Sequence, residues 1–166
     1  MSTLRVDNIT DLGDAPVVTA GALQIASSEL PAGSVLQVVQ STYATETSTT
    51  STSYVSTGLT GTITPTSATS KILVMVDGTV QPATTTAINF TVFRGTTSGT
   101  DLGGGVALQR IYNGPTVIAT GFNVLDSPAT TSSQLYTMAF KVTSGSYAVA
   151  QQANVQARMI MMEVAG

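Results

Sequence analysis

From Ser34 onward, turn signals recur about every ten residues and no window carries helical periodicity with caps. Short apolar or alternating runs lie between the turns. They are Val35–Gln40, Tyr54–Thr60, Lys71–Val76, Thr86–Arg94, Val106–Tyr112, Thr116–Thr120 with its continuation Gly121–Leu125, Gln134–Val142, Tyr147–Ala150 and Ala157–Val164. Eight or nine short strands at this spacing predict an all-β fold, an antiparallel β-sandwich or jelly roll. No repeat of fixed period is visible, which argues against a propeller or solenoid.

The strand faces can be read in part. In Gln134–Val142, Tyr136, Met138, Phe140 and Val142 share one face and Thr137, Ala139 and Lys141 the other. In Thr86–Arg94, Ile88, Phe90 and Val92 oppose Asn89 and Thr91. Ile72–Val76 is the longest purely apolar run, which predicts a strand buried on both faces. Five residues fall far short of the roughly 20 that a membrane helix needs, so no membrane insertion is expected. Asp77-Gly78 and Ser144-Gly145 read as turns, and Asn113-Gly114 as a hairpin dipeptide between two strands. Ser41–Ser53, rich in Ser and Thr, is an exposed edge or a loop, and Gly95–Gly105 is a glycine-rich loop without room for regular structure.

Residues 1–33 differ from the rest. They hold four of the nine acids (Asp7, Asp11, Asp14 and Glu29), and their apolar residues are pairs and singletons. Nothing here can bury a core within one chain. The segment reads as an extended arm that orders against other chains, a docking arm or stalk, with Leu4, Val6, Ile9 and Val17 as candidate interface residues. Pro31-Ala-Gly33 marks the boundary with a head over 34–166. No basic region followed by an apolar stretch opens the chain, so no secretory signal is expected.

The chemistry available is narrow. Only 9% of residues are charged, and His, Cys and Trp are absent. That removes imidazole bases, thiol nucleophiles, soft metal ligands and disulfides. Six cations against nine acids, net charge -3, argue against nucleic acid as a partner. Asp77, Asp101 and Asp126 fall at expected turns, where Asp is common for backbone reasons. Asp101-Leu-Gly-Gly-Gly105 offers one carboxylate, too few for calcium, and no Lys-Ser or Lys-Thr follows to hold a phosphate. No Ser stands in a Gly-x-Ser-x-Gly elbow. No enzyme activity, cofactor or metal is expected. The 46 Ser and Thr residues must solvate the surface in place of charge. Tyr43, Tyr54, Tyr112 and Tyr147 are spread along the chain and read as structural before they read as a sugar platform.

The last strand is the informative one. Met159, Ile160, Met161 and Met162 are consecutive, so both faces of Ala157–Val164 are apolar. One face can fill the core of the chain, and the other needs a second sheet or another subunit to cover it. Met159 and Met161 are taken as the subunit-facing pair.

Ser2-Thr-Leu-Arg-Val-Asp-Asn-Ile-Thr10 resembles the opening of tail-fibre and fibre-like virion proteins from phages of marine and freshwater bacteria, cyanophages especially, which read like Ser-Thr-Leu-Lys-Val-Asp-x-Ile. Pro31-Ala-Gly-Ser-Val-Leu-Gln-Val-Val-Gln40 and Ile63-Thr-Pro-Thr-Ser-Ala-Thr-Ser-Lys-Ile-Leu-Val74 are similar to the same group. So is the ending Met159-Ile-Met-Met-Glu-Val-Ala-Gly166, which resembles Ile-Thr-Leu-Met-Glu-Ile-Ala-Gly. The resemblance implies a structural component of a virion, assembled in the host cytoplasm and usually homotrimeric. It implies an attachment segment at 1–33 that meets other virion proteins, and a globular head. Gly95–Pro115 matches no pattern of the group, which makes Asp101, Tyr112 and Asn113 candidates for a loop facing a host glycan or receptor. Three readings stay open beside a short fibre or tail appendage: a capsid decoration or cement protein or head fibre held by its arm, a free carbohydrate-binding module, and a hydrolase.

Overall fold

The computed structural model describes residues 18–19, 22–23, 30–82, 86–112, 116–144, 148–150 and 155–166. Leu4, Val6, Ile9, Val17, Asn113 and Tyr147 lie outside the described residues. So does most of the arm. Within the arm, β1 (Val18–Thr19) and β2 (Ala22–Leu23) pair antiparallel.

The head is all strand among the described residues: β3 (Val35–Tyr43), β4 (Thr47–Thr49), β5 (Val55–Ile63), β6 (Lys71–Pro82), β7 (Ala87–Arg94), β8 (Thr100–Asp101), β9 (Gln109–Tyr112), β10 (Ile118–Asp126), β11 (Gln134–Val142), β12 (Ala148–Ala150) and β13 (Ala157–Val164). They form two antiparallel sheets. The first runs β3–β13–β6–β10, with β12 beside β6 beyond the end of β13 and β4 beside β12. The second runs β5–β11–β7, with β8 and β9 sharing the free edge of β7.

The wiring is that of a jelly roll. Take β3, β5, β6, β7, β9, β10, β11 and β13 in chain order. The first pairs with the last, the second with the seventh, the third with the sixth and the fourth with the fifth. A single long antiparallel hairpin, folded over on itself, gives that set of partners. The β6–β13 and β7–β11 ladders then close each sheet.

Alternation fills the space between the sheets. Ile72, Val74, Val76 and Val80 point inward from β6, and Tyr136, Met138, Phe140 and Val142 from β11. Phe90 of β7 stacks on Phe140 at 6.2 Å and meets Phe122 of the opposite sheet at 6.1 Å. Full burial of each such side chain contributes about 1.5–3 kcal/mol, which is how a head without disulfides is held.

Several turn expectations are corrected. Asp77-Gly78 does not turn the chain, because β6 is bonded along both edges there and continues to Pro82. The strand expected at Val106–Tyr112 starts only at Gln109, and the loop before it holds the short β8. Around Asn113-Gly114, β9 and β10 do not form a hairpin; they belong to different sheets. Ser41–Ser53 resolves as edge strand, carried by the end of β3 and by β4.

One irregularity is built in. Thr60 pairs with Thr137 and Ser56 with Ala139, so three residues of β5 oppose Met138 alone. Gly58 sits in this bulge at φ +91°, and a Cβ there would run into the ring of Tyr43. Gly58→Ala therefore combines a left-handed backbone with a clash. It is expected to lower stability by about 1–3 kcal/mol, read as a lower denaturant midpoint at unchanged slope. A midpoint equal to the parent's would mean that ring and bulge relax freely.

Candidate functional site

A hydrolytic site would need free, converging carboxylates. The head has five acids, and four of them are engaged. Asp126 ends β10 with its side chain inward, salt-bridged to Arg94 Nη1 at 3.0 Å and accepting from Tyr136 Oη at 2.8 Å. It is a core ion pair joining the two sheets, which corrects its expected place at a turn. Burial, and then the bond to Asp126, push the Tyr136 phenol far above its ordinary range. Glu163 is fully buried and accepts from Gln37 Nε2 at 2.6 Å, Thr66 N at 2.7 Å and Thr66 Oγ1 at 2.8 Å. Both acids flank Ile72 in one cross-strand row. They are the two carboxylates closest in register, and neither is available to a substrate.

Asp101 accepts from Thr91 Oγ1 at 2.5 Å, Gly103 N at 2.9 Å and Gly105 N at 3.1 Å. Its carboxylate folds its own loop onto the second sheet, so it is not free to face a receptor. Asp101 pairs opposite Phe93 and Tyr112 opposite Ala87. Six residues of β7 separate those positions, roughly 20 Å of strand, so the structure does not bring the two together. Tyr112 is 71% exposed. Tyr43 packs on the core over Gly58, and Tyr54 lies edge-on to Phe93 beneath the Lys141 ammonium, 4.3 Å from its ring centre. Among the described residues no three acidic side chains gather as a metal site would require.

The two sheets differ on their outer faces. On the second sheet, Thr91 and Ala139 point outward and are nonetheless fully buried. The Asp101 loop and Tyr54 cover that face. On the first sheet, apolar side chains are left at the surface. Val38, Met162, Leu73 and Leu125 form one outward row across all four strands. The row below is Gln40, Ile160, Met75 and Asn123, and the next is Thr42, Arg158, Asp77 and Gly121. Val38 and Leu125, at the two ends of the apolar row, are 57% and 53% exposed. Arg158 and Asp77 make an exposed ion pair at 3.6 Å. Bare Gly121 leaves a shallow depression of about 300 Å³ beside Met75, Asp77, Asn123 and Ile160.

This arrangement corrects the reading of the last strand. Met159 and Met161 are fully buried in the chain's own core, where their thioether ends fill the hollow over Gly61 of the opposite sheet. They cannot face another subunit. The outward residues of β13 are Arg158, Ile160, Met162 and Val164. A run of four apolar residues gives no sign of which parity is inside. The charged residues of the strand give opposite signs, since Arg158 shares the outward parity and Glu163 the inward one. The chain matches no protein-family model, and no curated protein is similar to it.

Burial raises the Glu163 carboxyl, but the hydrogen bonds from Gln37 and Thr66 outweigh it and hold it below its ordinary value of 4.5. A depressed folded value means that the unfolded chain binds the proton first. The stability from this group is therefore complete above about pH 4.5 and lost as pH falls through the folded value. Glu163→Gln is expected to cost about 1–3 kcal/mol near neutral pH, with the gap to the parent closing in acid. A gap of constant size across a pH series of denaturation curves would contradict this.

Proposed function

We propose that the chain is a non-enzymatic structural protein of a virion, a short homotrimeric fibre or tail appendage taking part in host attachment. The observation that carries this reading is the apolar row Val38–Met162–Leu73–Leu125 on an outer sheet face. A contiguous apolar patch of this kind marks an interaction surface. The engaged carboxylates favour a building part over a hydrolase, and the packing of Tyr43 and Tyr54 disfavours a sugar platform. The resemblance of Ser2–Thr10, Pro31–Gln40, Ile63–Val74 and Met159–Gly166 to phage fibre-like proteins supplies the virion context.

Charge fits an arm-and-head division. Residues 34–166 hold five acids and five cations and are neutral, while residues 1–33 hold four acids and Arg5 and carry the whole net charge of -3. A neutral head can approach copies of itself without repulsion, and the charged arm is the part suited to docking on other virion proteins. The same division suits a capsid decoration protein or head fibre, and imaging the chain's position on the particle separates the two.

The full chain is expected to run in light scattering at three times its 17.0 kDa mass. Deleting residues 2–30 should abolish incorporation into particles while leaving a strand-type circular dichroism spectrum. A monomer at all concentrations would overturn the trimer, and an unfolded truncated head would overturn the division into arm and head.

A further inference from the structure

We propose that copies of this chain meet through the outer face of the β3–β13–β6–β10 sheet, the β3–β13 half of one copy packing on the β6–β10 half of the next. The proposal rests on the reading of the protein as a homo-oligomer and locates its contact.

The two halves of the face are complementary row by row. In the apolar row, Val38 and Met162 lie on one half and Leu73 and Leu125 on the other. The two ends are almost equally exposed, at 57% and 53%. In the next row, Gln40 and Ile160 stand against Asn123 and Met75, an amide against an amide and an apolar side chain against another. In the third row, Arg158 is on one half and Asp77 on the other. Apposing unlike halves sets Val38 on Leu125, Met162 on Leu73, and Arg158 on the Asp77 of a second copy. The Arg158–Asp77 pair within the chain is half exposed and spans 3.6 Å, so exchanging it between copies costs little. Lys71 stands at the end of β6, where its long stem can leave the contact. Two copies of a neutral head meet no net repulsion. A two-fold axis along the strands produces this apposition over the whole face; about a three-fold axis in the same direction the faces meet at their edges, where Val38 of one copy stands beside Leu125 of the next.

The size of the face sets the strength. Three rows at about 6.7 Å and four strands at about 4.8 Å give roughly 400 Å² per copy, or about 800 Å² for two apposed faces. That lies below what a stable specific interface buries, in the range of weak, transient contacts. The association is therefore concentration-dependent and open to single substitutions.

The test uses three variants of the full chain: Val38→Lys, Leu125→Glu and the two combined. Both residues are more than half exposed, so the fold is spared, and circular dichroism and thermal melting check this. Within one chain the two positions are three strand spacings apart, about 14 Å, too far to pair. Sedimentation over a concentration series should show each single variant weakening self-association about tenfold or more. The combined variant should restore it, because lysine and glutamate then meet across copies. A monomeric parent would overturn both this proposal and the oligomer reading. An oligomeric parent whose single variants associate unchanged would overturn the face and leave the oligomer standing. Weakened single variants without rescue would overturn the apposition of unlike halves.

Discussion

Side-chain parity along two adjacent strands decides most of what this molecule presents. β6 is bonded on one edge to β10 and on the other to β13 and β12, so it cannot slip without breaking two ladders. That fixes Ile72, Val74 and Val76 inward and Leu73 and Met75 outward. Through the shared register it fixes Met159 and Met161 inward and Ile160 and Met162 outward. A shift of one residue would exchange the faces. It would also draw Glu163 out of its ring of donors and expel the two methionines from the hollow over Gly61. The buried carboxylate and the hollow thus act together as a register lock.

The polar interior follows from the same wiring. Asp126 and Glu163 close one end of the core on either side of Ile72. Each is satisfied from a different direction: Arg94 and Tyr136 reach Asp126 from the second sheet, while Gln37 and Thr66 reach Glu163 from the neighbouring edge strand and a connecting loop. Removing one partner of a buried pair leaves an uncompensated charge, which costs more than the pair itself contributes. These groups therefore specify how the two sheets meet more than they add to net stability. The Asp101 loop covers part of the second sheet's outer face and leaves Tyr112 exposed at its edge, while the first sheet carries a continuous apolar row.

Much of this was legible in the sequence, and the failures have physical causes. Gln134–Val142 alternates cleanly, and its faces came out as read. The sandwich class followed from turn spacing, and each of the eight strands of the jelly roll overlaps one of the runs read as strand. Asp77-Gly78 misled because a turn dipeptide yields to a strand paired on both edges, where tertiary bonding outweighs local preference. Asn113-Gly114 misled because a hairpin dipeptide carries no information about which sheet each strand joins. The last strand was read as two-faced, correctly, but its parity was not available. Met159–Met162 is apolar on both sides, and only the partner across the sandwich, Gly61, decides which pair fits inside. Asp126 looked like a turn residue because its partners, Arg94 and Tyr136, are 32 and 10 residues away. Long-range pairs leave no local trace.

The uneven charge bears on what drives assembly. In a trimer, three arms of net -3 brought alongside one another would repel, most strongly at low ionic strength. The arms alone are then a poor source of association, and a neutral head with an apolar face is the better one. Yet a face of about 800 Å² per pair is too small to hold copies together by itself. The two parts suit each other if the heads gather first and hold the arms at high local concentration, so that an arm needs only weak contacts with its neighbours or with a docking partner to order. On that proposal, weak, reversible head contacts would let copies correct their arrangement before the arms dock. A larger apolar face would remove that freedom and would expose the free chain to aggregation.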